Sequence, residues 1–285
     1  PIGDSLRFYA NTTYSYTGGL YARSERRFLG FATARIKDPA NPYRDVAYTQ
    51  HVADPPGAIA STHERTAAGA LVRYESTTFA RSGNGTTAPY TSAPSRRYAY
   101  ECNGQATCKA SSRGWTYSAY GAVTSEIEYG DDAITGDERT TYRTQVVNPT
   151  AFLTQLDATI TVRAGAGAPA GTQLAYSETA YDDATAATTA PTRGLATRRS
   201  RWRGGTSFVV DRSQYDLAGN EVARIDPLGH TTALAYDARQ RLISTVNPLG
   251  HTETRTYDTR GRLATITDPN GGITSHGYDA VGRLV

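Results

Sequence analysis

The sequence has no methionine, and only two of its 30 basic residues, Lys37 and Lys109, are lysines. Positive charge is therefore carried almost wholly by arginine. The 27 acidic residues leave a net charge of +3, and the arginines are scattered among them, so the basic stripe that marks nucleic-acid binding is missing. No run approaches the roughly 18 consecutive apolar residues of a membrane helix, and no apolar segment with a basic flank opens the chain as a secretion signal would. Starting at Pro1 without a methionine, the chain reads as an internal piece of a longer protein. The only cysteines, Cys102 and Cys108, flank an Asn-Gly turn in "ECNGQATCK". A disulfide, formed in an oxidising location, is expected there over two free thiols. Zinc is not expected, because further ligands are lacking and the nearest histidine in sequence is His63.

What the sequence has is tyrosine, 20 against six phenylalanines, and a period. Tyr215, Tyr236, Tyr257 and Tyr278 follow one another at intervals of 21 residues, and each precedes an aspartate: Asp216, Asp237, Asp258 and Asp279. A strict period without insertion is the mark of a repeat architecture, in which each unit leans on its neighbours. Two regions result: 1–210, with irregular spacing, and 211–285, with three repeats and a truncated fourth.

Each period contains two turn signals. One is Asp226-Pro227-Leu228-Gly229, repeated as Asn247-Pro248-Leu249-Gly250 and Asp268-Pro269-Asn270-Gly271. Asp or Asn bonds back to the following backbone, proline presets φ at the second position, and glycine accepts positive φ at the fourth, which specifies a type I turn. The other runs from the aspartate after each tyrosine to Gly219, Gly261 and Gly282, with Gln240 in the second repeat, where a strained or wider turn is expected. Arg241-Leu242, Arg262-Leu263 and Arg283-Leu284 then begin the next segment. Turns ten and eleven residues apart leave about six residues between them, the usual length of a strand. Segments such as "RLISTV" and "HTETRTY" have the Thr, Ile, Val and Tyr that strands favour. Each unit is therefore a β-hairpin, and consecutive hairpins continue as an antiparallel meander.

The faces of these strands are mixed. Leu242, Ser244 and Val246 alternate with Arg241, Ile243 and Thr245; His251, Glu253, Arg255 and Tyr257 alternate with Thr252, Thr254 and Thr256. A sandwich requires a continuous apolar inner face, so a single sheet layer held by cross-strand pairs is expected.

Upstream, "YSAYGAVTSEIEYGDD" reads as strand, turn, strand. Residues 174–202 resemble a repeat carrying an inserted Ala/Thr loop, 152–173 a strand followed by an Ala/Gly connector, and 57–75 a hairpin. "TRRSRWRGG" holds the only basic cluster, Arg198, Arg199, Arg201 and Arg203, and reads as a solvated loop.

"YDxxGRL…DPxG…YDxxGRL" resembles the YD-repeat, or RHS-repeat, family. "YSYTGGLYARSERRFLGFATARIKDP" (14–39) is similar to the segment after the propeller region in the B component of insecticidal bacterial toxin complexes. The resemblance implies an all-β fold of antiparallel hairpin repeats forming part of a single-layer, spiralling β-shell. It implies a non-enzymatic function, enclosing and helping to deliver a C-terminal toxin or effector. Implied partners are the remainder of the shell, an enclosed polypeptide cargo and a translocation component, with neither nucleic acid nor a membrane span. The implied location is secreted or at the bacterial cell surface.

No catalytic, cofactor or metal constellation is expected. His230 and His251 both follow a turn glycine, as strand-start surface residues would, and His276 falls at another phase. The five acids of "EYGDDAITGDE" match no calcium-binding spacing and read as a solvated loop. Two alternatives remain: a cell-surface or wall-associated adhesion module binding carbohydrate through Tyr, Arg and His, and a polysaccharide-cleaving parallel β-helix, which antiparallel pairing at Leu242 would exclude. The final "GRLV" should form an unpaired edge strand, poorly ordered or prone to associate.

Overall fold

The computed structural model describes residues 12–23, 26–37, 42–51, 53–55, 57–81, 91–167 and 169–285. Almost every regular element among them is a strand; the helical exception is one 3-10 turn, Pro149–Ala151. The chain forms two compact units, 1–142 with 162–174, and 143–161 with 175–285.

The first unit begins with β1 (Thr13–Thr17), which pairs with β4 (Thr33–Lys37) around an inserted hairpin of β2 (Leu20–Ala22) and β3 (Arg27–Gly30). Pairing then follows chain order through β5 (Tyr43–Tyr48), β6 (Ile59–Arg65), β7 (Leu71–Arg81), β8 (Ser92–Glu101), β9 (Lys109–Tyr117) and β10 (Val123–Asp131), antiparallel throughout. The expected hairpin over 57–75 is β6 and β7, and "YSAYGAVTSEIEYGDD" is the end of β9, a turn and β10. Of the segment 14–39, residues 24, 25, 38 and 39 lie outside the described set; "RFLG" is β3.

Cross-strand side-chain rows hold this unit. Arg35 grips Asp45 at 2.5 and 2.9 Å, Asp45 lies opposite His63, and His63, Tyr74 and Tyr100 stack in turn with ring centroids 4.4 and 5.3 Å apart. Asp54, its side chain 1% exposed, receives both Arg81 nitrogens at 2.8 and 2.7 Å and the Ser92 hydroxyl at 2.5 Å. Burial pushes this carboxyl up, but the arginine and serine donors outweigh it and hold its pKa at about 2. Cys102 and Cys108 are joined in a disulfide across the tight loop between β8 and β9.

Three strands contribute to both units: β11 (Arg139–Asn148), β12 (Leu153–Ala164) and β13 (Gln173–Tyr181). The second unit continues with β14 (Ala196–Gly204), β15 (Ser207–Tyr215), β16 (Glu221–Ile225), β17 (Thr231–Tyr236), β18 (Leu242–Val246), β19 (Thr252–Tyr257), β20 (Leu263–Thr267) and β21 (Ile273–Ser275). Each pairs antiparallel with the next. Antiparallel pairing at Leu242 excludes the parallel β-helix.

Strands of each unit make their substantial contacts with the neighbours they hydrogen-bond, so each unit is one layer thick. The core is correspondingly thin. In the second unit it is a cluster of Val146, Ala158, Tyr181 and Ala187, and Ala187 belongs to the inserted Ala/Thr loop, which folds back onto the sheet. Elsewhere β18 and β20 are half-buried along their whole length.

Two expectations are corrected, and that of a strained or wider turn at Gln240 is narrowed to strain. Arg198 to Arg203 form no loop: they lie in β14 between two partner strands, where Arg198 pairs with Glu178 and Arg201 with Asp211. Strand pairing overrides the local charge density because Arg198 points to the face opposite Arg199 and Arg201, and the carboxylates of Glu178 and Asp211 are set against the cluster from the neighbouring strands. Gln240 does not widen its turn, whose Gln240 N–H to Asp237 O bond is 2.9 Å; the strain lies in its φ of 61°. The last residues form no free edge strand, since Leu284 bridges back to Tyr278 and the Val285 N–H reaches Gly277 O at 2.9 Å.

Candidate functional site

The repeat wall of the second unit offers the most regular arrangement of side chains, and it is built from one turn used twice. In the turn after Tyr257, the Asp258 N–H bonds the Arg262 carbonyl and the Gly261 N–H bonds the Asp258 carbonyl, both at 2.9 Å, while Asp258 Oδ1 accepts the N–H groups of Arg260 and Arg262. Asp226, Asn247 and Asp268 do the same at the other turns, accepting from Leu228 and His230, Leu249 and His251, and Asn270 and Gly272. The fourth residue takes positive φ, between 80° and 91° at Gly219, Gly229, Gly250, Gly261, Gly271 and Gly282. This is a type I turn closed by a left-handed residue. It needs a single side-chain oxygen, which is why Asn247 serves as well as aspartate.

The second oxygen of the Tyr-Asp turns has other work. Oδ2 of Asp237, Asp258 and Asp279 accepts Nε of Arg241, Arg262 and Arg283, each at 2.7 Å. The guanidinium, held flat, then stacks over the tyrosine of the next repeat: Arg241 lies 4.5 Å from the Tyr257 ring centroid and Arg262 4.3 Å from that of Tyr278. Each tyrosine hydroxyl donates back, Tyr257 to the Leu242 carbonyl at 2.8 Å and Tyr278 to that of Leu263 at 3.0 Å. Tyr, Asp, Arg and Leu thus fasten the second repeat to the third and the third to the fourth. Along the sequence these residues stand only as turn formers and strand starts; the signal available there is an arginine five residues after Tyr236, Tyr257 and Tyr278. Guanidinium and backbone donors also hold the carboxyls of Asp237 and Asp279 below the usual carboxylate range.

The same fastening explains two irregular units. Asn220 occupies the arginine position of the first repeat, and its amide reaches Asp216 Oδ2 at 2.9 Å. Tyr181-Asp182 begins an expanded turn: Asp182 N–H bonds the Leu195 carbonyl, and its carboxylate collects the N–H groups of Thr192, Arg193, Gly194 and Leu195. Tyr215 OH donates to the carbonyl of Ala196, one residue past Leu195, as Tyr257 does to Leu242, one past Arg241. Residues 181–195 are therefore a repeat turn opened by an insertion. Arg193 reaches across it to the carbonyls of Asp216 and Leu217.

The two faces of the wall differ. Register places Ala235, Ser244, Thr254 and Thr267 in one cross-strand row and Thr256, Thr265 and Ser275 in the next, with Thr256 and Thr265 hydroxyls 2.7 Å apart. The other face carries Leu234, Thr245, Glu253 and Arg255, with Arg255 paired to Glu253. Small hydroxyls on one side and paired charges on the other make a wall wettable on both.

His230 is exposed, and its ring meets Asp226 Oδ2 at 2.8 Å, in the place Arg241 holds at the other turn. His251 meets Asn247 at 3.4 Å. Among the described residues no group of three or more His, Cys, Asp or Glu is placed to hold a metal ion. In "EYGDDAITGDE", Asp137 accepts the Asp131 N–H at 3.0 Å and Asp131 pairs with Lys109 at 3.2 Å, so both carboxylates are taken up locally.

Compared with known proteins, residues 215–252 and 257–285 match the RHS repeat family. No curated protein matches the chain. Solved structures with the same fold include the TcdB2-TccC3 crystal structure, with a TM-score of 0.74 at 13% identity, and its form without the hypervariable C-terminal region, at 0.72 and 13%. The Photorhabdus luminescens Tc holotoxin pore gives 0.73 at 14%. In each case 96% of this chain is covered, but 21% of the other, so the chain spans about a fifth of their length.

Proposed function

We propose that the chain is a non-enzymatic wall segment of a β-shell that encloses a polypeptide cargo and helps deliver it as a toxin or effector, in a secreted protein. The observation that carries this reading is the fold likeness to TcdB2-TccC3 over 96% of the chain, at a TM-score of 0.74. Two features support it. The wall is one layer thick and wettable on both faces, so it can separate two aqueous compartments without a core of its own. Its repeats are fastened side to side by side chains, so the ladder extends by adding copies.

Electron cryomicroscopy of the complete protein from which the chain derives tests the reading, with protease digestion alongside. A hollow particle, and a C-terminal segment shielded from protease until the particle is denatured, are the expected results. An open rod, a filled globule or a freely digested C-terminal segment would refute enclosure. Saturable glycan binding by the chain would instead favour the adhesion module.

A further inference from the structure

The basic cluster of β14 plays no part in fastening the repeats. Thr179 pairs with Arg199 and Ser177 with Arg201 on one side of the strand, and Asp211 and Val209 lie opposite them on the other. Ser177, Thr179, Arg199, Arg201, Asp211 and Ser213 line one shallow depression of about 500 Å³. Arg201 bonds Asp211 at 2.7 Å with both side chains well exposed. Among the described residues no carboxylate pairs with Arg199 or with Arg203, which is exposed at the bulge that ends the strand. Arg203 lies outside the depression, so within it Arg199 and Arg201 have the one Asp211 carboxylate between them, while Glu178, which also lines it, is paired with Arg198.

We infer that this face of β14 binds an acidic polypeptide segment in extended conformation, through carboxylates at alternate positions. Same-face residues of a strand are spaced by about 6.8 Å, and so are alternate side chains of an extended peptide laid along it. Arg199 and Arg201 therefore match glutamates two residues apart. The hydroxyls of Ser177 and Thr179 beside them can donate to the carboxylate oxygens that the guanidinium forks leave free, while the Ser213 hydroxyl is already donated to Glu221 at 2.6 Å. A single-stranded nucleic acid would need bases stacked on aromatic rings. The nearby aromatics Trp202 and Phe208 pair with each other at the intervening position, and the Trp202 Nε1–H is committed to the Gly205 carbonyl at 2.9 Å. The charge excess and the strand spacing both select an acidic peptide. The inference does not require the wall to enclose anything, because binding is read on the chain itself.

The test is fluorescence anisotropy with a labelled peptide of alternating Glu and Thr, about ten residues long to span the strand, at low salt. An exposed ion pair contributes up to about fivefold in affinity, so Arg199→Gln/Arg201→Gln should weaken binding about tenfold. Arg23→Gln/Arg239→Gln removes the same charge from exposed positions away from β14 and should change binding less than about twofold. Arg199→Gln alone breaks no ion pair, keeps the fold readable by circular dichroism, and should weaken binding about threefold to fivefold. The inference is overturned by any of four results: no binding to the unaltered chain, equal losses in the two double variants, equal affinity for a peptide with its glutamates in one block, or tighter binding of an oligothymidylate of matched charge.

Discussion

Replacing Arg241 should weaken the junction between two repeats as well as the turn that carries it. Its guanidinium bonds Asp237 and stacks 4.5 Å from the centre of Tyr257, with the side chain 25% exposed. The partly exposed ion pair contributes up to about 1 kcal/mol, the stack about 0.5 to 1 kcal/mol, and the buried stem adds packing that alanine lacks. Arg241→Ala should therefore cost about 2 kcal/mol in urea unfolding near neutral pH. Tyr257→Leu loses the same stack and the hydroxyl bond to Leu242, at a cost of about 1 to 2 kcal/mol. Since the stack is counted in both single variants, the double variant should fall short of their sum by about 0.5 to 1 kcal/mol. Arg241→Lys keeps the charge but not the flat fork, and should lie between the parent and Arg241→Ala. A coupling below about 0.3 kcal/mol, within the additivity of independent sites, would refute the claim that Arg and Tyr fasten repeats together.

Three further outcomes are expected. Gln240→Gly should stabilise the chain by about 0.5 to 1 kcal/mol, because relief of the left-handed strain exceeds the added entropy of the unfolded chain; an unchanged urea midpoint would show that Gln240 carries no strain. Asp54 has a folded pKa of about 2, depressed below its unfolded value, so its contribution is full above the unfolded pKa and is lost as pH falls from about 4 toward about 2. Asp54→Asn should flatten the acid limb of the stability profile by up to about 2 kcal/mol, and parallel profiles for parent and variant would contradict this. In hydrogen exchange, the amides of residues 278–285 should be protected only at the bridge and turn contacts of Tyr278, Val285 and the Asp279 turn; protection equal to that of β18 and β19 would mean a further strand partner.

The repeat region was legible because its information is local. The turn at Asp226-Pro227-Leu228-Gly229 is specified by four adjacent residues, and a strict period of 21 leaves two strands between turns and an antiparallel meander as the way to join them. Where an insertion broke the period, as between Asp182 and Leu195, the homologous turn could be suspected but not closed, since its hydrogen bonds join residues thirteen apart in place of four. The basic cluster misled for the converse reason. Composition suggested a loop, but whether four arginines repel one another depends on which face each occupies, and the pairing of β14 with β13 and with β15 decides that.

The turns, the strand lengths, the antiparallel order and the polar character of the faces could be read along the chain, because all of them follow from residues within one repeat. What Arg241 and Tyr257 do for each other, and that Arg199 stands without a carboxylate, emerge in the folded sheet alone. A guanidinium reaching over the next repeat, or a strand setting its charges against its neighbours, brings together groups whose separation along the chain carries no trace of their distance in space.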